Sequence, residues 1–175
     1  MFLDRVHVPI GLWDESRLAV NALEMHLRGF SLITTYGFVP DLWNTKPPLA
    51  IWAITASIDL FGASEWSLRL PSALASPATL AIVYVFTERV SRSRWTALLA
   101  TALLATSIGF FGVHGAETAD YEALLCLFVT AYLCILFFVI HRRHSRSPML
   151  WLAAAAVAGG FMTKDFETPI AGVGI

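Results

Sequence analysis

"YEALLCLFVTAYLCILFFVI", residues 121–140, carries no charge after Glu122, and its length decides the class of the whole chain. A helix needs roughly 20 predominantly apolar residues to cross the hydrocarbon core of a bilayer, whereas a run of about 10–14 is more often interfacial, re-entrant or buried. Tyr121–Ile140 meets the longer requirement. Two further runs do so on either side of a basic link: Leu70–Thr87, interrupted by Pro71 and Pro77, and Trp95–Val113. A fourth, Met149–Met162, is shorter, and its "LAAAAVAGGF" (152–161) suits close packing against a neighbouring helix.

Composition agrees with this patterning. The 175 residues are 57% hydrophobic and 14% charged, respectively above and below the share of an ordinary soluble domain, so an all-α polytopic membrane protein is expected. A net charge of -1 gives no bulk field to attract nucleic acid, and any use of charge must be local. Cys126 and Cys134 lie within one apolar run and read as small hydrophobes rather than as a disulfide or a metal pair.

Arginines gather in two short links, "ERVSRSRW" (88–95) and "HRRHSRSP" (141–148), which the positive-inside tendency assigns to the cytoplasm. The links of opposite parity, "HGAETADYE" (114–122) and "TKDFET" (163–168), then face outward and hold the acids. This parity also locates "WNTKPPLAIW" (43–52). The run Pro47–Gly62 is short for a span and carries Thr55, Ser57 and Asp59, so it reads as a helix lying in the outer interface, with its prolines tolerated at the first turn. Residues 1–69 are then an outer segment. The alternative, a short ordinary span, would put Lys46 on the cytoplasmic side. An outer segment of this length normally follows a membrane helix, and "PIAGVGI" (169–175) begins another apolar run, so a part of a larger polytopic protein is expected.

Chemistry-bearing residues collect on the outer side. "WDESRLAVNALEMHLRG" (13–29) predicts a short amphipathic helix, with Asp14 as N-cap, Glu15 in the first turn, Gly29 closing it, and Leu18, Ala22 and Met25 on one face. A carboxylate fixed at a helix start is either simple capping or a suitable general base. Lys46 either snorkels to headgroups or holds a phosphate as a compact point charge. Glu117 and Asp120 precede a span and read as end-markers or as site acids. His114 offers a polar contact, and Thr163, Lys164 and Asp165 form a last polar cluster. Gly-rich phosphate loops, zinc-spaced cysteines and nucleophile elbows are absent from the sequence. Acid plus lysine at the outer ends of helices suits transfer from a phosphate-linked lipid. The rival, a transporter-like or non-catalytic membrane module, would place such groups near the midplane in broken helices.

Five stretches in order, "DESRLAVNALEM" (14–25), "TKPPLAIW" (45–52), "LFGASEWSLRLPSALA" (60–75), "TADYEALLCLF" (118–128) and "FMTKD" (161–165), resemble the amino-terminal half of membrane glycosyltransferases related to protein O-mannosyltransferases and the lipid A aminoarabinose transferase. The resemblance implies a GT-C helix bundle, partial here, with interfacial helices in residues 1–69 and transmembrane helices at 70–87, 95–113, 121–140 and 149–162. It implies a polyprenyl-phosphate-linked sugar as donor, a protein or lipid hydroxyl as acceptor, and a site at the non-cytoplasmic face of the plasma membrane of a bacterium. By similarity Asp14 is the loop carboxylate that acts as base or orients the acceptor, and Glu15 completes the acidic pair. Asp120 is a second acid near the reaction centre, and Lys46 contacts the donor phosphate. Arg69, His114, Glu117 and Lys164 are supporting candidates. Two departures stand out: Thr45 replaces an acidic residue found in some relatives, and "TKD" replaces "TKG" at Thr163–Asp165. Some members are associated with a divalent cation, for which this sequence offers no strong ligand set.

Overall fold

The computed structural model describes residues 9–11, 13–111, 118–142 and 148–164; the sequence candidates His114, Glu117 and Asp165 lie outside them. Helix α1 (Asp14–Arg28) buries Leu18, Ala19, Ala22 and Met25 on the stripe its spacing predicts. Gly29 ends it at φ 94, its amide donating to the Met25 carbonyl at 2.8 Å. The helix start differs from the sequence expectation. Trp13 holds the N-cap position at φ 82 without a side-chain cap, and Asp14 is the first helical residue, with its side chain exposed.

A hairpin follows, formed by β1 (Thr35–Tyr36) and β2 (Val39–Pro40), with Thr35 opposite Pro40. Its two turn residues, Gly37 and Phe38, both have positive φ, as a two-residue hairpin turn demands. Phe38 bears that conformation because α1 grips it. The Glu24 carboxylate accepts its amide at 3.1 Å, and Arg28 donates to its carbonyl at 3.0 Å.

Helix α2 (Leu49–Phe61) begins after Pro48, where a missing amide donor costs nothing. It packs on α1 through Ala50, Ile51, Ile54 and Ile58, and the Thr55 hydroxyl bonds to the carbonyls of Ile51 and Ala22. Asp59 pairs with His26 of α1 at the exposed edge. Two of the polar residues that made this run look too hydrophilic to span, Thr55 and Asp59, therefore face α1.

Helix α3 (Glu65–Ser91) opens with a Ser64–Ser67 capping box and continues through both internal prolines. Beside Leu68, Arg69 and Ala75 it buries the small polar residues Ser67, Ser72, Ser76 and Thr79, and the Ser76 and Thr79 hydroxyls donate to carbonyls one turn back. After the left-handed cap at Arg92, α4 (Arg94–Ala105) and the single turn α5 (Ile108–Phe111) return along α3. The expected span Trp95–Val113 is thus divided. Thr106 and Ser107 direct their hydroxyls to the carbonyls of Ala102 and Leu104, which ends the helix inside an otherwise apolar run.

Helix α6 (Tyr121–Arg142) runs parallel to α3: Ser72 bonds to the Asp120 carbonyl at one end, and Phe86 meets Phe137 and Phe138 at the other. Helix α7 (Pro148–Lys164) returns antiparallel, with Lys164 beside Glu122. The α3–α4 turn and the end of α6 therefore share one end of the bundle, opposite α1, α2 and Asp120. Among the described residues α3 and α6 are the two helices long and apolar enough to cross a membrane.

Where α7 crosses α6, Gly159 leaves no room for a side chain: a Cβ there would sit 2.5 Å from the Phe128 ring. Gly159→Ala is expected to lower stability by about 1–3 kcal/mol through overpacking, seen as a lower melting midpoint in detergent. An unchanged midpoint would mean that the α6–α7 contact is looser than its geometry states.

Candidate active site

Helix α1 has a period of about 3.6 residues, so Asp14, Arg17, Leu18 and Asn21 share one face. That face lines a cavity of about 100 Å³ together with Trp43, Asn44, Thr45, Lys46 and Tyr121. The segment 41–46 is brought there by Asp41. Its carboxylate is ion-paired with Arg17, accepts from Asn21 at 3.2 Å, and accepts the amides of Trp43 and Asn44 at 3.3 Å. Burial pushes the Asp41 carboxyl up, but the Arg17 and Asn21 donors outweigh it and hold the pKa below its ordinary value. The cradle is therefore anionic at its root, and it carries Lys46 at its rim.

Asn44 extends the network. Its side-chain amide donates to the Tyr121 hydroxyl at 3.3 Å, and its carbonyl oxygen accepts the Lys46 backbone amide at 3.3 Å. The Lys46 ammonium lies over the Tyr121 ring, 4.4 Å from its centroid. Asp14 and Asp120 are both close enough to act electrostatically on the Tyr121 hydroxyl.

The structure brings Asp14 and Lys46 to one cavity, with Asp120 directly behind its Tyr121 wall. Asp120 is itself buried, one carboxylate oxygen accepting the Tyr121 amide at 2.7 Å. Glu15, expected as the second member of the acidic pair, is elsewhere. It is 5% exposed and meets Arg69 in a two-point ion pair, at 2.7 and 3.1 Å. It also accepts the amides of Gly11 at 2.6 Å and Ala119 at 3.1 Å. Burial raises its pKa, and the guanidinium with the two amides reverses that and lowers it. Glu15 and Arg69 thus clamp α1, α3 and the start of α6 rather than face the cavity. Lys164 is also engaged, 2.7 Å from the Glu122 carboxylate.

Sequence reasoning missed Arg17, Asn21, Asp41, Asn44 and Tyr121. The first two stand three and seven positions after Asp14, a helical spacing that was available to find them. Among the described residues no group of three or more His, Cys, Asp or Glu side chains is placed to hold a metal ion, and Cys126 and Cys134 are free thiols. The described residues thus offer no donor set for a divalent cation, and no step below uses one.

Residues 45–171 match the family described as dolichyl-phosphate-mannose-protein mannosyltransferase. An undecaprenyl phosphate-alpha-4-amino-4-deoxy-L-arabinose arabinosyl transferase from Pseudomonas fluorescens is 31% identical over 161 residues, covering 89% of this chain and 27% of the relative. Crystal structures of ArnT from Cupriavidus metallidurans superpose on the fold. The form bound to undecaprenyl phosphate gives a TM-score of 0.80 at 23% identity, over 97% of this chain and 30% of that one. The apo form gives 0.78 at 22%, over 95% and 31%. The chain spans less than a third of the length of each of these proteins.

Proposed function

The chain belongs to the dolichyl-phosphate-mannose-protein mannosyltransferase family and has a GT-C membrane fold, and from that premise we propose that the protein transfers a sugar from a polyprenyl-phosphate donor to a hydroxyl on protein or lipid. The observation that carries this reading is the shared cavity of Asp14 and Lys46, a carboxylate and an ammonium lining one cleft. A single displacement at the anomeric carbon needs both. The acceptor hydroxyl gives its proton to Asp14 as its oxygen bonds to the sugar, and the bond from the sugar to the phosphate oxygen breaks on the opposite side. Polyprenyl phosphate leaves with the electron pair, its growing charge met by Lys46. The product is inverted at that carbon.

Arg17 adds a second cation to the cavity wall, but Asp41 already holds its guanidinium. Its part is to keep the 41–46 segment against α1. Lys46 forms no ion pair among the described residues, which leaves its charge available to a phosphate. Parity of the basic links favours the α3–α4 turn in the cytoplasm and the cavity at the non-cytoplasmic surface, and the bacterial relatives support a plasma-membrane location. The spans in this reading are α3, α4 with α5, α6 and α7, and α1, the hairpin and α2 lie on the outer side.

The test is donor-phosphate binding. Lys46→Ala is expected to weaken binding of undecaprenyl phosphate to the full-length protein by about 10- to 100-fold, as loss of a charge-assisted contact does. An unchanged dissociation constant would remove Lys46 from the donor site.

A further inference from the structure

A lysine side chain has four flexible carbons and three rotatable donors, so a cation meant for one phosphate needs something to hold it in place. Carboxylates do this for most buried lysines, at the cost of neutralising them. Lys46 has a different neighbour. Its ammonium sits 4.4 Å from the centroid of the Tyr121 ring, and both residues line the same cavity. An aromatic face attracts a cation through its quadrupole and leaves the full charge in place.

The ring is itself fixed from both ends. Tyr121 is 4% exposed, packed in the same core as Leu18 and Ala22 at the first position of α6. Its hydroxyl is held by the Asn44 amide at 3.3 Å, and the Asn44 backbone is held by Asp41. One short segment therefore carries both the lysine and the residue that locks its seat, two positions apart.

We propose that Tyr121 is the positioning residue for Lys46: its ring seats the ammonium at the cavity wall, charged and ready for the phosphate of a lipid-linked ligand. This rests on the reading of Lys46 as the phosphate-binding cation. The ring meets the ammonium from one side, and Lys46 itself lines the cavity. Removing the attraction without changing the shape should release the lysine into its other rotamers and weaken phosphate binding.

The test compares two rings of nearly equal shape in the full-length protein, Tyr121→Phe and the same position carrying 3,4,5-trifluorophenylalanine, whose fluorines cancel the negative ring face. Neither has the hydroxyl, so the contact with Asn44 is lost equally and the fold is challenged equally. Titrated with undecaprenyl phosphate, the fluorinated ring is expected to bind about 3- to 10-fold more weakly than phenylalanine. The difference should vanish when Lys46→Ala is added to both. Equal affinities for the two rings, tighter binding with the fluorinated ring, or a difference that survives Lys46→Ala would each overturn the seat. If Lys46→Ala alone leaves affinity unchanged, the phosphate role of Lys46 fails first and the seat fails with it.

Discussion

Asp14→Asn is expected to lower the turnover of the full-length enzyme by about 10²- to 10⁴-fold, the usual worth of a general base. The substitution removes a proton acceptor while keeping the shape of the side chain. Asp14 is exposed at the first position of α1 and borders the cavity. An asparagine of the same shape is also well tolerated at a helix start, so the fold has no reason to respond. Donor binding should change little, because Lys46 is left in place to hold the phosphate. Loss confined to kcat is therefore the expected signature, measured with a polyprenyl-phosphate sugar and an acceptor alcohol. Wild-type turnover in the asparagine variant would refute Asp14 as base. A loss expressed mainly in the donor KM would instead make it part of the donor pocket.

The contrast between Asp14 and its neighbour shows what the sequence could and could not disclose. Adjacent residues on an α-helix face directions about 100° apart, since a turn takes 3.6 residues. Neighbouring carboxylates can therefore meet different surroundings. Glu15 is buried against Arg69, whereas Asp14 is exposed and lines the cavity with Arg17 and Asn21. The spacing held that division, but family resemblance drew both acids into one role. Hydropathy served well for α3 and α6, whose long apolar runs have only one way to satisfy their backbone in lipid. It failed at Thr106 and Ser107, because a helix break made by hydroxyls bonding to the preceding turn leaves mean hydropathy nearly unchanged. The contact between Lys46 and Tyr121 joins residues 75 positions apart. Only the parallel packing of α6 beside α3, and of both against α1, brings them together.

Arg69→Met is expected to destabilise the fold by about 3–5 kcal/mol, the cost of leaving a buried charge without its partner. The Glu15 carboxylate has 6% of its side chain exposed and the Arg69 guanidinium 10%, so solvent screens the pair little. The pair also joins three elements: α1 through Glu15, α3 through Arg69, and the approach to α6 through the Ala119 amide. Replacing both partners, Glu15→Gln with Arg69→Met, should restore about half of the loss, because a neutral amide tolerates burial but cannot accept both amides as a carboxylate does. The dependence on pH supplies an independent check. In the native protein the folded-state pKa of Glu15 lies below its ordinary value of 4.5, so its contribution is present above that pH and disappears as pH falls through the lower folded-state value. Without the guanidinium, burial instead favours the protonated acid. The Arg69→Met variant should then lie furthest below the native protein near neutral pH and approach it in acid, as read by melting midpoints in detergent. A constant gap between the two across that range would show that the methionine variant suffers from packing alone, and that the ion pair does not hold α1 against the bundle.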